Sequence, residues 1–263
     1  MTGRPFLISV FVFLIPLHLL AQSPEADSSS VEWMKVYFNQ PADYSVAQLG
    51  NMSKSNTDLI GTLETLIKEA NHSIDLAIYD LEHPRIGRAL VEAAERGIRI
   101  RVVTDNYNRT DAAEIDSAMW AILRKAEIIS IDDDGDVYES DGDIKDNNLT
   151  NSGADMHHKF AIIDALSNSP HDDKIWTGST NLTYTGAYNT NNTIVIKDSG
   201  ITAAYLNEFE QMWGSDDQTP DPQSAKYHKD KLYVGEHTYY VDDIKIELYF
   251  SPMNRLGNKP SIM

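Results

Sequence analysis

The chain is 263 residues long, contains no cysteine and carries a formal net charge of −18. That length can bury a substantial core in one large or two small domains. The missing thiols exclude disulfides, cysteine lipidation and thiol catalysis, and the acidic balance disfavours non-specific attachment to nucleic acid.

Arg4 precedes an apolar run from Phe6 to Leu20, and Ala21 supplies a small residue before Gln22. The pattern predicts a cleaved signal peptide over residues 1–21 and a secreted or periplasmic mature protein. A membrane anchor fits less well, because the run is short for a span and contains Pro16, so no transmembrane span is expected in the mature chain. Arg4 is the single formal charge in that segment, and its removal takes the net charge to −19. Residues 22–32 are polar and serine-rich, a flexible leader.

Met34 to Phe38 reads as a strand ended by Pro41. Leu59, Ile60, Leu63, Leu66 and Ile67 fall at helical spacing behind Asp58, with Glu64 and Lys68 as an i,i+4 pair. Ile74, Leu76 and Ile78 alternate as a strand. Pro84 then opens a helix with Ile86, Leu90, Val91 and Ala94 on one face, stopped by Gly97. Ile98, Ile100 and Val102 alternate again, Asp111 to Lys125 predicts another helix, and Ile128 to Ile131 a short strand. This order argues for an α/β fold with a largely parallel sheet flanked by helices.

The segment 132–155 is acidic, yet it lacks the glycine and terminal glutamate that a calcium loop needs in register. It is expected as a solvated loop beside the site, a candidate lid or substrate-selecting segment. Ala203, Leu206, Phe209 and Met212 give a last helix closed by Gly214, followed by a linker over 215–243. Ile244 to Pro252, IKIELYFSP, echoes MKVYFNQP near the start, which predicts that a second, incomplete repeat begins in 244–263 after a complete half over 33–214.

The chemistry concentrates in MHHKFAIID and GSTN. In a strand, His157 and Lys159 share a face while His158 points away. An imidazole can attack phosphorus or move protons, and a lysine can hold a non-bridging phosphate oxygen. Asp164 has the opposite parity and reaches the same place only if the strand ends or bends first. Ser179 and Asn181, two apart, can direct a hydroxyl and an amide at the same oxygens, and Gly178 allows close backbone approach.

The segments HHKFAIID and GSTN resemble the HKD motif of the phospholipase D superfamily, and the resemblance continues through VYFNQP, SIDLAIYDL, ALVEAAERGIRIRVVTD and AYLNEFEQMWG, most of residues 34–214. It implies a mixed sheet between helices. His157 would be the nucleophile that forms a phosphohistidine. Lys159, Ser179 and Asn181 would bind phosphate, Asp164 would orient the site, and neither a metal nor another cofactor would be required. Two departures stand out. Asn191 lies near where family members often carry an acidic residue that supports the histidine. This chain also has one complete motif where the family's active site resembles a facing pair, so the second copy would come from a homodimer or from a second half missing here.

The expected function is that of an exported phosphodiesterase acting on phospholipid. The alternatives are a single-motif endonuclease on DNA or RNA, which the charge disfavours, and a truncated module that only binds phosphate groups or partners.

Overall fold

The apolar stripes close on both faces of a nine-stranded sheet. The computed structural model describes residues 33–41, 43, 45, 54–106, 118–138, 144–145, 155–232 and 235–251. The signal peptide and leader expected over 1–32, most of the acidic segment, and 252–263 lie outside the described residues.

The strands are β1 (Met34–Phe38), β2 (Ser73–Ile78), β3 (Arg99–Thr104), β4 (Ser130–Asp132), β5 (Val137–Tyr138), β6 (Ile144–Lys145), β7 (Lys159–Ile163), β8 (Lys174–Gly178) and β9 (Asn192–Ile196), in the spatial order β1-β9-β8-β7-β2-β3-β4-β5-β6. The expected mixed sheet flanked by helices is present. Its parallel part is narrower than the sequence suggested, because only β2–β3 and β3–β4 pair in parallel. The remaining pairs are antiparallel. The physical reason lies in the connections. A parallel pair needs a crossover of a dozen or more residues, usually a helix, and the β2–β3 and β3–β4 links each run through one, whereas β7 to β8 is a short loop.

Helices α1 (Leu59–Glu69), α2 (Pro84–Glu95) and α3 (Ala118–Lys125) cover one face, and α5 (Ser199–Trp213) covers the other; the short α4 (Tyr184–Tyr188) sits between β8 and β9. Asp58 caps α1 by accepting from the Gly61 N–H at 2.9 Å, and Pro84 occupies the first turn of α2. The Lys68–Glu64 pair forms at 2.7 Å, and Arg85 joins Glu64 and Asp58 across the two helices. Asp198 caps α5, which ends at Gly214 in the left-handed region, φ 81°.

Every residue of β2 is buried, including the polar positions between Ile74, Leu76 and Ile78. Asp75 pairs there with Arg101 of β3 at 2.7 Å, and both side chains are fully buried. The Arg101 guanidinium lies over the Phe209 and Trp213 rings of α5, at 4.9 and 5.7 Å. The pair compensates two charges that would otherwise be costly in a covered sheet.

Residues 215–232 run back over the domain: the Asp217 carbonyl accepts from the Trp213 indole and from Arg101, and Gln218 donates to the Ile100 carbonyl. A two-stranded sheet follows, β10 (Thr238–Val241) with β11 (Ile244–Glu247), turned by Asp242 and Asp243, both at positive φ. Thus β1 joins the edge of the main sheet, whereas the echoing β11 pairs with β10. Tyr239, Val241, Ile246, Leu248 and Phe250 pack against the α5 side of the core. Among the described residues no helix is long and apolar enough to cross a membrane.

Candidate active site

Alternating strand direction brings separate segments to one end of the sheet. Because β7 runs against β2 and β8, the end of β2, the start of β7, the end of β8 and the start of β9 meet there. Ile78 pairs with Lys159, Phe160 with Thr177, and Gly178 with Thr193. The approach to β7 is tied to the end of β3, since the Met156 N–H donates to the Asp105 carboxylate at 2.7 Å.

His157 and Lys159 stand together at this end. The His157 ring is exposed and packs on Tyr79, centroids 4.7 Å apart. Burial first, and then the Lys159 charge, push its imidazole below the ordinary value, while Asp155 opposes them. The ring is therefore neutral at neutral pH and has a lone pair to offer. Lys159 is 9% exposed and donates to the His157 carbonyl at 3.1 Å. Burial lowers its pKa to about 8, with Asp80, Asp105 and Asp155 pulling upward. Asp80, just past β2, is raised to about 6 by burial and then by Glu82, with Lys159 opposing, and its buried Oδ1 has no hydrogen-bond partner among the described residues.

His158 points to the opposite face, as strand parity requires. Its Nε2 lies 2.9 Å from Glu208 of α5 and 3.0 Å from the Lys231 ammonium, and Lys231 also donates to Glu208. Burial holds this imidazole below its ordinary value against the Glu208 hydrogen bond, and Glu208 itself is lowered by His158 and Lys231 against its own burial. These contacts anchor α5 and the segment before β10 to the back of the site.

Gly178, Ser179 and Asn181 follow β8 at the same end. A Cβ on Gly178 would lie 2.3 Å from the Asn192 carbonyl oxygen, so β9 comes close only because the residue is glycine. Gly178→Ala is expected to wedge β8 from β9 and to cost about 1 to 3 kcal/mol, read as a lower melting temperature. Ser179 Oγ donates to Asn191 Oδ1 at 2.9 Å and accepts from the Asn192 N–H at 3.1 Å. The Asn191 amide also donates to the Gly186 carbonyl of α4 at 2.8 Å, so its side chain braces the Ser179 corner. Asn181 is half-buried, and its Oδ1 is buried without a partner among the described residues.

The structure does not bring Asp164 to this place, although its motif position groups it with His157 and Lys159. It stands beyond the far end of β7, seven residues from His157, or about 20 Å along an extended chain. Its Oδ1 accepts from the backbone N–H groups of Asn71, His72 and Ser73, and its φ is 62°. It fastens the turn from α1 into β2. Missing from the sequence reading were Tyr79, Asp80 and Asp105. Their one signal was position directly after the last residues of parallel strands, where sites collect in open α/β sheets.

Of the aspartates in the acidic segment, Asp132, Asp133, Asp134, Asp136 and Asp155 are described. Asp132 accepts from the Asp134 and Asp136 N–H groups, and Asp133 from the Asn106 N–H. Among the described residues no group of three or more His, Asp or Glu side chains could hold a metal ion.

One end of a covered mixed α/β sheet thus gathers an exposed imidazole, a buried ammonium and a hydroxyl-amide corner. The chain belongs to the phospholipase D-like family, for the family model described as "Cardiolipin synthase, PLD-like domain" matches residues 63–213. It is 27% identical over 194 residues to the mitochondrial cardiolipin hydrolase of Xenopus tropicalis, covering 73% of this chain and 77% of that one. To the mitochondrial cardiolipin hydrolase of Mus musculus it is 29% identical, covering 64% of each. Among solved structures it is similar to Nuc, a phospholipase D family member from Salmonella typhimurium, with 21% identity, a TM-score of 0.46 and coverage of 68% of this chain and 93% of that one. The hydrolase names are consistent with a phosphodiester hydrolase. The expectation of a secreted or periplasmic protein is overturned by these relatives, both of which are named as mitochondrial.

Proposed function

We propose that the protein hydrolyses a phospholipid phosphodiester through a phosphohistidine at His157. The observation that carries this reading is the pairing of a neutral imidazole with a buried ammonium at one end of the sheet. A ring nitrogen of His157 forms a bond to phosphorus, the bond to the leaving alcohol breaks, and that oxygen takes a proton from a general acid. Water then attacks the phosphohistidine, giving a proton back to that acid as the P–N bond breaks, which releases phosphatidic acid and restores both groups. Lys159, Ser179 and Asn181 face the phosphate oxygens, with Gly178 allowing β8 and β9 to close around them.

The general acid is a second imidazole. His158 is held on the other face by Glu208 and Lys231, and His83 accepts from the Arg85 N–H as the cap of α2. We therefore assign the second histidine to the His157 of another copy of this chain in a homodimer.

Lipid is favoured over nucleic acid by the net charge and by the carboxylates of Asp80, Asp105 and Asp155 that act on Lys159. The names of the relatives make cardiolipin the first lipid to offer. The purified protein should release phosphatidic acid from cardiolipin or phosphatidylcholine vesicles and leave single-stranded DNA intact. Nicking of the DNA with no lipid product would replace this reading by the nuclease.

Lys159 also sets a pH limit. It binds phosphate as the ammonium, so activity is expected to fall as pH rises through about 8. On the acid side activity should persist below the ordinary imidazole range, because His157 is lowered. For stability the sign is reversed. A lysine whose folded pKa lies below its unfolded value makes the fold less stable wherever it is charged, and that penalty fades as pH rises from about 8 toward 10.5. Lys159→Met is therefore expected to raise stability at neutral pH by on the order of 2 kcal/mol while removing turnover, as thermal melts and assays on one preparation would show.

A further inference from the structure

The ring of Tyr79 touches both groups that the proposed reaction needs. Its centroid lies 4.7 Å from that of His157, with the planes tilted by 58°, and 5.1 Å from Lys159 Nζ, which stands over the ring. One aromatic side chain is thus a shared wall for the nucleophile and for the phosphate-binding cation.

The wall is fixed by the backbone. The Tyr79 N–H donates to the His158 carbonyl at 2.8 Å, one rung beyond the β2–β7 ladder and one residue past the end of β2. The next carbonyl, of Asp80, accepts from the Leu182 N–H at 3.0 Å, which clamps this segment to the stretch carrying Ser179 and Asn181. Lys159, in turn, is buried, donates to the His157 carbonyl, and makes no ion pair among the described residues. A buried ammonium without a contacting carboxylate needs another electron-rich surface, and the face of a phenol ring is one.

We propose that Tyr79 is a positioning residue whose ring, rather than its hydroxyl, holds the Lys159 ammonium and fixes the plane of the His157 imidazole so that both address one phosphate. This rests on His157 and Lys159 being the reacting pair of the proposed function. The ring also explains how Lys159 can act with carboxylates near it. Asp80 after β2, Asp105 after β3, and Asp155 before β7 influence its charge, and one N–H is given to the His157 carbonyl, yet the ring supplies the close contact and leaves the other N–H groups for phosphate.

The test compares Tyr79→Phe with Tyr79→Leu in the full chain. Two quantities are read across pH: kcat/KM on bis(p-nitrophenyl) phosphate, and the titration of Lys159 by NMR in lysine-labelled protein. Phenylalanine keeps the π face and is expected to preserve both. Leucine is expected to lower kcat/KM by about tenfold and to move the Lys159 titration and the basic limb of the profile down together by about half to one pH unit. If leucine leaves the Lys159 titration in place, or if phenylalanine loses as much as leucine, the assignment is wrong. Should Tyr79→Leu not fold, pentafluorophenylalanine at position 79 keeps the shape and removes the negative ring face, with the same expected shift. The titration needs no turnover. A wild-type protein that cleaves nothing would therefore refute the phosphodiesterase reading, while the Lys159 titration would still decide the role of Tyr79.

Discussion

His157→Ala is expected to lower turnover of bis(p-nitrophenyl) phosphate by about a thousandfold or more while leaving the melting temperature nearly unchanged. Both halves follow from the same geometry. The ring is exposed at the mouth of the site, so its loss opens no cavity, and its neighbours Tyr79 and Lys159 are held by other contacts, the β2–β7 backbone and the His157 carbonyl that alanine retains. The chemistry, in contrast, has no substitute on the described chain. His158 is the adjacent imidazole, but moving it to the front would break its contacts with Glu208 and Lys231 and turn every following side chain of β7 to the wrong face. The homodimer adds a sharper result. If each site combines His157 from two copies, a mixed dimer with one alanine has lost an imidazole from the site it shares. Titrating His157→Ala protein into wild type under exchange should then depress activity below simple dilution. A linear decline would count against the shared site, and activity retained in the alanine variant would remove His157 from the mechanism.

The legible parts of this protein were those governed by short periods. Period two separated the His157–Lys159 face from the His158 face, and the helical repeats of α1 and α2 predicted which residues cover the sheet; in α5 Phe209 and Met212 do so, but Ala203 is exposed and Ile201, Tyr205 and Trp213 are buried instead. What escaped depends on register between distant segments. Tyr79 and Asp80 reach the site only because β2 runs against β7, and Asp105 only because the end of β3 meets the approach to that strand. Nothing in SIDLAIYDL alone reveals either pairing. The same limit hid Asp75 and Arg101. Their alternation with apolar residues suggests a solvated face, yet α5 covers it, and the two charges satisfy each other across β2 and β3. Asn191 was legible as a departure from the acidic residue common in the family. Its actual partners, Ser179 and the Gly186 carbonyl, depend on where α4 sits.

Variants of Asp164 are expected to separate stability from catalysis, because the residue stands past the far end of β7 from His157. Asp164→Ala removes the oxygen that accepts three backbone N–H groups, from Asn71, His72 and Ser73, in a place where the aspartate is 1% exposed. It also asks alanine to hold φ 62°, a region in which the Cβ meets the following carbonyl. Together these should cost about 3 to 5 kcal/mol, enough to unfold much of the protein near physiological temperature. Asp164→Asn keeps one acceptor oxygen and tolerates the left-handed backbone, so the loss should be about 1 to 2 kcal/mol. The reaction is far away, at the other end of β7, and the folded fraction of either variant should keep the kcat of the wild type. Denaturant melts paired with kcat per folded molecule test this. A folded Asp164→Asn protein with kcat reduced as deeply as His157→Ala would return Asp164 to the chemistry; full kcat with a lowered midpoint would leave it as the fastener that starts β2 in register and so carries Tyr79 to the site.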